Sequence, residues 1–449
     1  MYLFSIVMPI YNVDKWLEEA FTSLVNQKGI NFENEVEVIL VNDCSPDNSK
    51  AICLRYANEY KNVKYIENPK NKGLSATRNV GLQAASGRYV NFLDPDDILS
   101  SNVLAEIKSF IECNIERIAH ISIPLIFFEA EHGLHAKYKF IGDKNRIVDL
   151  KNEPYNFILS SASSFYKRED ILNNGLLYDE TLFGEEDTKL NFELYREICP
   201  RYAYVCENGV AYHYRRRKDA NSQVDKSKIR KEAFYTPADL VEMVKNYKGI
   251  SDEVIYELSI YELRSRLKNI RCSIFETDEE FLSVLNRYRS IIRQIPESFI
   301  SEKTKFLDIN QKLLFLTKIY SEPLKLYEDG LLHTKYGTHG VLRINDLPLD
   351  IKAICLDKNE LRLDIVLNLY GVQHVRPVIM EENSKTIIFP SKTFETDSVY
   401  IKSVDSIKAS SKVQYSRLAI PLDKIGKYRL YYYNDLTGYL HIANRIQTY

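Results

Sequence analysis

Four short polar runs in this sequence each follow an apolar stretch or open a helical one: Pro9-Ile10-Tyr11-Asn12, Asn42-Asp43-Cys44-Ser45, Asn71 through Asn79, and Asp94-Pro95-Asp96-Asp97. Asp43, just past an apolar run, suits a hydrogen bond to a nucleobase or ribose. Gly73 permits close backbone approach at a helix start, and Arg78, one turn in, offers a planar fork for phosphate. Asp94 and Asp96 present hard oxygens of the kind Mg²⁺ or Mn²⁺ takes when it bridges a diphosphate. Each run alone is also ordinary turn or helix-capping chemistry. Their succession at strand ends makes the ligand-binding reading the stronger one.

The elements needed to hold these runs are legible in the periodicity. Phe4 to Met8 reads as a strand ending at Pro9, and Asp14 as the cap of a helix bearing Trp16, Leu17, Ala20, Phe21, Leu24 and Val25. Further strands are expected at 36–41, 63–66 and 89–93, and helices at 48–60 and 75–85. Strand and helix alternating at this spacing predict a parallel sheet, whose ligands sit at the carboxyl ends of its strands. Beyond residue 100 we expect a helix at 103–113, strands near 120–128 and 137–141, and a helix at 187–197.

Three parts are expected: an α/β catalytic domain at 1–224, a helical segment at 225–329, and a small all-β, sandwich-like accessory domain at 330–449. In the helical segment, Tyr256, Ile260, Leu263, Leu267, Ile270 and Ile274 recur at spacings of four and three. Phe281, Leu285, Tyr288 and Ile292 continue the stripe. Such a stripe packs on its parent domain or pairs with a second copy to make a homo-oligomer. After residue 330 the pattern shortens to alternating runs such as 361–366 and 428–433, separated by turn residues.

Composition excludes several classes. The 449 residues are 45% hydrophobic, and 60 Lys and Arg stand against 62 Asp and Glu. Net charge is −2, so no basic field draws nucleic acid. No apolar run approaches the roughly 20 residues of a spanning helix. Seven scattered cysteines without a C-x-x-C pair read as reduced thiols. The expectation is a cytoplasmic protein, with peripheral contact at the inner membrane face left open.

Taken as an ordered series, Ser5 to Asn12, Val41 to Ser45, Asn71 to Gly81 and Phe92 to Asp97 resemble the signature of family 2 glycosyltransferases over about the first 220 residues. The departure is Cys44, where the family usually carries Gly. The resemblance implies a GT-A fold binding a nucleoside-diphosphate sugar, usually a UDP-sugar. It implies that Pro9 and Tyr11 line the uracil pocket, that Asp43 hydrogen-bonds the base, and that Asn71 and Arg78 fix nucleotide and diphosphate. Asp94 would contact ribose or donor sugar, and Asp96 would ligate Mn²⁺ or Mg²⁺. The run Phe183-Gly184-Glu185-Glu186-Asp187 resembles the family's Glu-Asp motif, which makes Asp187 the candidate base and puts Glu186 near acceptor or diphosphate. His213 resembles a further metal contact, and Arg215 or Arg216 a contact to diphosphate or acceptor. An anionic acceptor, such as a teichoic-acid-like or capsular polymer, would suit this basic loop and the stretch 226–231.

The reaction so implied is an inverting single displacement at the anomeric carbon, with a metal neutralising the departing diphosphate. A sugar-phosphate nucleotidyltransferase would show a Gly-rich loop after its first strand, and 9–12 contains no Gly. A carbohydrate-binding or assembly protein with a vestigial transferase domain fits the C-terminal part better than the carboxylate set. The layout is similar to wall-teichoic-acid glycosyltransferases. The single Trp, Trp16, reads as a core contact. Since no Trp follows it, the Gln-x-x-Arg-Trp segment of membrane-embedded chain extruders is excluded.

Overall fold

The computed structural model describes residues 2–114, 118–182, 184–217, 230–269 and 274–307, residue 312, and segments, mostly strands, between 325 and 448. It divides into two compact units, Met1–Leu258 and Ser259–Tyr449. The boundary falls inside the helix Asp252–Asn269. Expectations for Phe183, Lys218, 226–229 and Ile270 lie outside the described residues.

In the first unit, β1 (Phe4–Ile10), β2 (Val36–Asn42), β3 (Val63–Glu67) and β4 (Tyr89–Phe92) run parallel in the order β3-β2-β1-β4. They alternate with α1 (Asp14–Val25), α2 (Phe32–Glu35), α3 (Ser49–Glu59) and α4 (Leu74–Ala84). β1 and β2 are buried at every position, as strands covered on both faces must be. Beyond β4 the sheet becomes mixed. β5 (Ile98–Leu99), β6 (His120–Ser122), β7 (Leu125–Glu129), β8 (Gly133–Leu134), β9 (Arg146–Asp149), β10 (Ser164–Lys167), β11 (Arg201–Tyr204) and β12 (Tyr212–Arg216) follow, with β10, β6, β11 and β9 extending the main sheet. β12 and its neighbours β5, β7 and β8 form a separate small sheet.

Three local expectations are corrected. Asp14 is the first residue of α1 rather than its cap, and its Oδ2 accepts from the Asn48 amide across the β1–β2 gap at 3.4 Å. β1 continues through Pro9 to Ile10. Val7 O accepts from Leu93 on the β4 side and Ile10 O from Asp43 on the β2 side, so the missing Pro9 donor would have pointed past the end of β4, where no ladder partner is lost. Residues Ala136–Phe140 form a 3₁₀ helix rather than a strand.

The face of the sheet that matters for chemistry is built by one apolar cluster. After α5 (Val103–Cys113) and α6 (Arg168–Asn173) comes α7 (Glu186–Glu197), and Val7, Ile39, Val41, Val90, Phe92 and Tyr166 from the strands meet Leu82 of α4 and Leu190 and Leu194 of α7. Both helices are therefore anchored over the same strands. Gly81 lets α4 lie close on β1, because a Cβ there would collide with the buried Val7 side chain.

In the second unit, Ile260, Leu263, Phe281, Leu285, Tyr288 and Ile292 are buried within the chain. These six positions of the apolar stripe thus serve this chain's own core. Farther on, a five-stranded sheet holds Pro348–Asp357, Glu360–Asn368, Lys392–Asp397, Lys412–Pro421 and Arg445–Thr448, and a four-stranded sheet holds Val375–Glu381, Ile387–Ile388, Tyr428–Asn434 and Leu440–Ile442. Val375–Glu381 lies against Lys412–Pro421 of the other sheet, and Val378 and Leu418 are buried.

Substituting Gly81 by Ala should destabilise the first unit by about 1–3 kcal/mol through overpacking against Val7, read as a lower denaturant midpoint with unchanged slope. An unchanged midpoint would show that the α4–β1 approach tolerates a Cβ.

Candidate active site

The site begins with a carboxylate that organises a loop. Asp43 follows β2, and its Oδ1 accepts from Asn68 Nδ2 at 2.8 Å and from the Lys72 amide at 2.9 Å, while Oδ2 accepts from the Gly73 amide at 2.9 Å. Gly73 has φ +87° and heads α4, a conformation open to glycine at little cost. Asp43 therefore fixes the start of the helix that carries Arg78. The neighbouring turn bears on Cys44, whose φ of +59° lies in the left-handed region. That region favours glycine, and cysteine occupies it at a cost of about 1 kcal/mol.

Arg78 is almost wholly buried, at 2% exposure. Its Nη2 donates to Asp94 Oδ1 at 3.0 Å, and its Nη1 donates to Asp187 Oδ1 at 2.9 Å and Glu186 Oε1 at 3.2 Å. The guanidinium also lies over the Tyr178 ring, 5.3 Å from its centre. Burial opposes its charge, but Asp187 and Asp94, with Glu186, hold it protonated well above the ordinary range. Next to it, Asn79 Nδ2 donates to Tyr178 O and Glu180 Oε1, and Asn79 Oδ1 accepts from the Tyr178 amide. Consecutive residues of α4 thus fasten the segment leading into α7.

At the N-terminus of α7, Gly184 and Glu185 have φ of +83° and +62°, turning the chain so that Glu186 and Asp187 face Arg78. Ser161 then orients Asp187: its Oγ donates to Oδ1 at 2.7 Å and its amide to Oδ2 at 3.0 Å. Burial, reinforced by the neighbouring Asp187 charge and opposed by Arg78, pushes the Glu186 carboxyl up to about 7. Burial likewise raises Asp94, against Arg78 and with the help of Asp96 and Asp187. These groups form one electrostatic set, in which each carboxylate's ionisation depends on the others.

The Asp94–Asp97 turn is held by β12. Tyr212 Oη donates to Asp97 Oδ2 at 2.6 Å, and the Arg215 amide donates to Asp97 Oδ1 at 2.7 Å. Asp97, buried beside Asp96 and Asp94, is pushed well above the usual carboxylate range. Asp96 Oδ2 accepts from Arg217 Nη2 at 2.6 Å and Nε at 2.9 Å.

Several expected site residues have partners within the chain. Arg215 is committed to Glu129 and Glu19 through its Nη atoms, to Asp96 O through Nε, and to the face of Phe128. Arg216 pairs with Glu131 and lies over Phe127. His213 Nε2 is 3.0 Å from Ser100 Oγ, and its ring meets Phe128 edge-on. Among the described residues no three His, Cys, Asp or Glu side chains converge as metal ligands. The chemistry of Asp94 and Asp96 still fits a divalent cation whose remaining ligands come from a diphosphate and water, provided Arg217 leaves Asp96. Tyr11, at the end of β1, is 48% exposed. Pro9 is buried and Asn71 exposed. Ser161, Tyr212 and Arg217 were not among the expected site residues. Trp16 is only half-buried, and the Arg217 guanidinium lies 4.1 Å from its ring centre, which corrects its expected place in the core.

A parallel sheet whose carboxyl edge gathers a buried arginine, a D-x-D turn and helix-borne carboxylates defines a GT-A-type glycosyltransferase domain. Residues 5–171 match the model of glycosyl transferase family 2, and this domain belongs to that family. The chain is 34% identical over 310 residues to the minor teichoic acid biosynthesis protein GgaB of Bacillus subtilis strain 168, covering 67% of this chain and 33% of that protein. It is 28% identical over 346 residues to GgaA of the same organism, covering 74% and 76%. The chain thus spans a third of GgaB's length. Among solved structures, S. aureus TarS superposes with a TM-score of 0.60 at 19% identity over 100% of this chain and 78% of that one. TarS residues 1–349 with UDP-GlcNAc superpose with a TM-score of 0.57 over 76% and 98%. These two likenesses are of fold. No helix among the described residues is long and apolar enough to cross a membrane.

Because the Glu186 pKa is raised from 4.5 to about 7, its protonated form stabilises the fold fully below pH about 4.5. That contribution, up to about 3 kcal/mol, is lost as pH rises through about 7. Glu186→Gln should flatten the fall in unfolding free energy between pH 5 and 8. An unaltered slope would place the titration elsewhere.

Proposed function

We propose that the chain transfers a sugar from a UDP-sugar to a hydroxyl of a bacterial polyol-phosphate or related surface glycan, with inversion at the anomeric carbon. The observation that carries this reading is the junction at Arg78, which joins the donor-side carboxylate Asp94 to the helix-borne pair Glu186 and Asp187. The relatives' names support the acceptor class: GgaB and GgaA are minor teichoic acid biosynthesis proteins. The TarS complex with UDP-GlcNAc supports the donor class. An anionic acceptor and a nucleotide-sugar donor fit action at the inner membrane face.

In this mechanism Asp187 is the base. Ser161 fixes both of its oxygens, and Oδ2 keeps a lone pair for the acceptor hydroxyl proton. Holding that hydroxyl against the anomeric carbon converts the encounter into a near-unimolecular displacement. Tyr11 and Pro9 at the end of β1, Asp43 and Asn71 bound the nucleoside. Arg78 pairs with Asp94 and Asp187 and holds both in place while charge builds on the diphosphate. Mg²⁺ or Mn²⁺ on Asp96 and Asp94 would neutralise part of that charge as the bond to the sugar breaks. The parts at 225–329 and 330–449 are accessory in this reading.

Asp187→Asn should bind UDP with near-normal affinity by calorimetry and lose transfer by about 10²–10⁴-fold, the range a positioned base contributes. Transfer at the original rate would remove Asp187 as the base. Absence of UDP binding by the original protein would remove the donor class.

A further inference from the structure

Asp96 is the carboxylate through which a donor-bound cation would be held, and its Oδ2 is already filled by a guanidinium. Arg217 gives it two hydrogen bonds, at 2.6 and 2.9 Å. Arg217 directly follows β12 and is the only one of three successive arginines directed to that side chain. Arg215 is locked by Glu19, Glu129, the Asp96 carbonyl and Phe128, and Arg216 by Glu131 and Phe127. The second anchor of Arg217 is the Trp16 face, a stacking that a guanidinium keeps while its donors exchange partners.

We propose that Arg217 is a built-in counter-ion of the donor site: it holds Asp96 in the free protein, yields Asp96 to a divalent cation arriving with a nucleoside diphosphate, and then donates to the diphosphate oxygens. The physical reason is charge. A divalent cation and a guanidinium cannot share one carboxylate oxygen without strong repulsion. One divalent cation also leaves negative charge on a nucleoside diphosphate, and a displaced arginine beside it supplies the missing positive charge in bidentate form. Trp16 lets the side chain swing without first returning to water. The exchange makes cation binding depend on the nucleotide, and the reverse, because linkage is reciprocal. This inference rests on the nucleotide-sugar reading of the site.

Two measurements on the full chain test it. Trp16 is the only tryptophan, so its emission reports directly on the stacked guanidinium. Addition of Mg²⁺ with UDP should shift that emission, and Mg²⁺ alone at the same concentration should not. In addition, Arg217→Gln should bind Mn²⁺ alone at least about fivefold more tightly, by the loss of the free-ion electron paramagnetic resonance signal, since its competitor is gone. The same variant should bind UDP in the presence of Mg²⁺ at least about fivefold more weakly. Arg217→Lys, with a point charge in place of the fork, should fall between the two on both scales. Opposite shifts of the two affinities are the signature. If the original protein binds UDP but Trp16 emission stays constant and Arg217→Gln leaves both affinities unchanged, the exchange is refuted and the nucleotide reading stands. If the original protein binds no UDP, both fall.

Discussion

One buried cation holds this active site together. The Arg78 guanidinium is sealed from water and faces three carboxylates from two distant parts of the chain, the end of β4 and the start of α7. Burying a charge costs several kcal/mol unless its partners are well placed. Burying three like charges without a cation would cost more. The arginine and the acids are therefore each tolerable only because the other is present. The surrounding structure serves this pairing: Asp43 sets the helix start, Gly81 sets the depth of α4, Asn79 fastens the segment before α7, and Ser161 aims Asp187.

The same economy extends to the edge of the site. Asp97 is spent on Tyr212 and the β12 backbone, which leaves Asp94 and Asp96 to face the ligand space. Asp94 leans on Arg78, and Asp96 on Arg217. Every exposed negative charge of the D-x-D turn is thus matched in the free protein by an arginine of different mobility. Arg78 is enclosed on all sides, whereas Arg217 ends a strand and rests on the half-buried Trp16. That contrast assigns a fixed structural charge to one and an exchangeable charge to the other.

Much of this was legible in the sequence because the chemistry sits where apolar strands stop. Asp43, Gly73, Arg78, Asp94 and Asp96 follow such breaks, and strand order then brings them to one edge. Asp187 stands out only through the resemblance of its run to the Glu-Asp motif of the family. What periodicity could not supply was partnership. The sequence suggests a phosphate fork at Arg78, and in the fold its Nη donors go to carboxylates, one of them 109 positions away. Ser161 lies in a loop with no pattern of its own, and only the packing of that loop beneath α7 brings it to Asp187. Among three neighbouring arginines no local rule chooses Arg217. The position of the lone Trp on α1 was the one available clue, and it pointed to the core because tryptophan usually goes there.

In this reading of the site Arg78 and Asp187 act as one unit. The most direct test is a double-mutant cycle in denaturant unfolding, comparing Arg78→Met, Asp187→Asn and the double variant. The double variant should be less destabilised than the sum of the singles by at least about 2 kcal/mol, because once Arg78 is gone the Asp187 charge is one of three unpaired carboxylates rather than an ion-pair partner. Additive effects within about 0.5 kcal/mol would contradict it, and would mean that the buried arginine and the proposed base share a location but not a function.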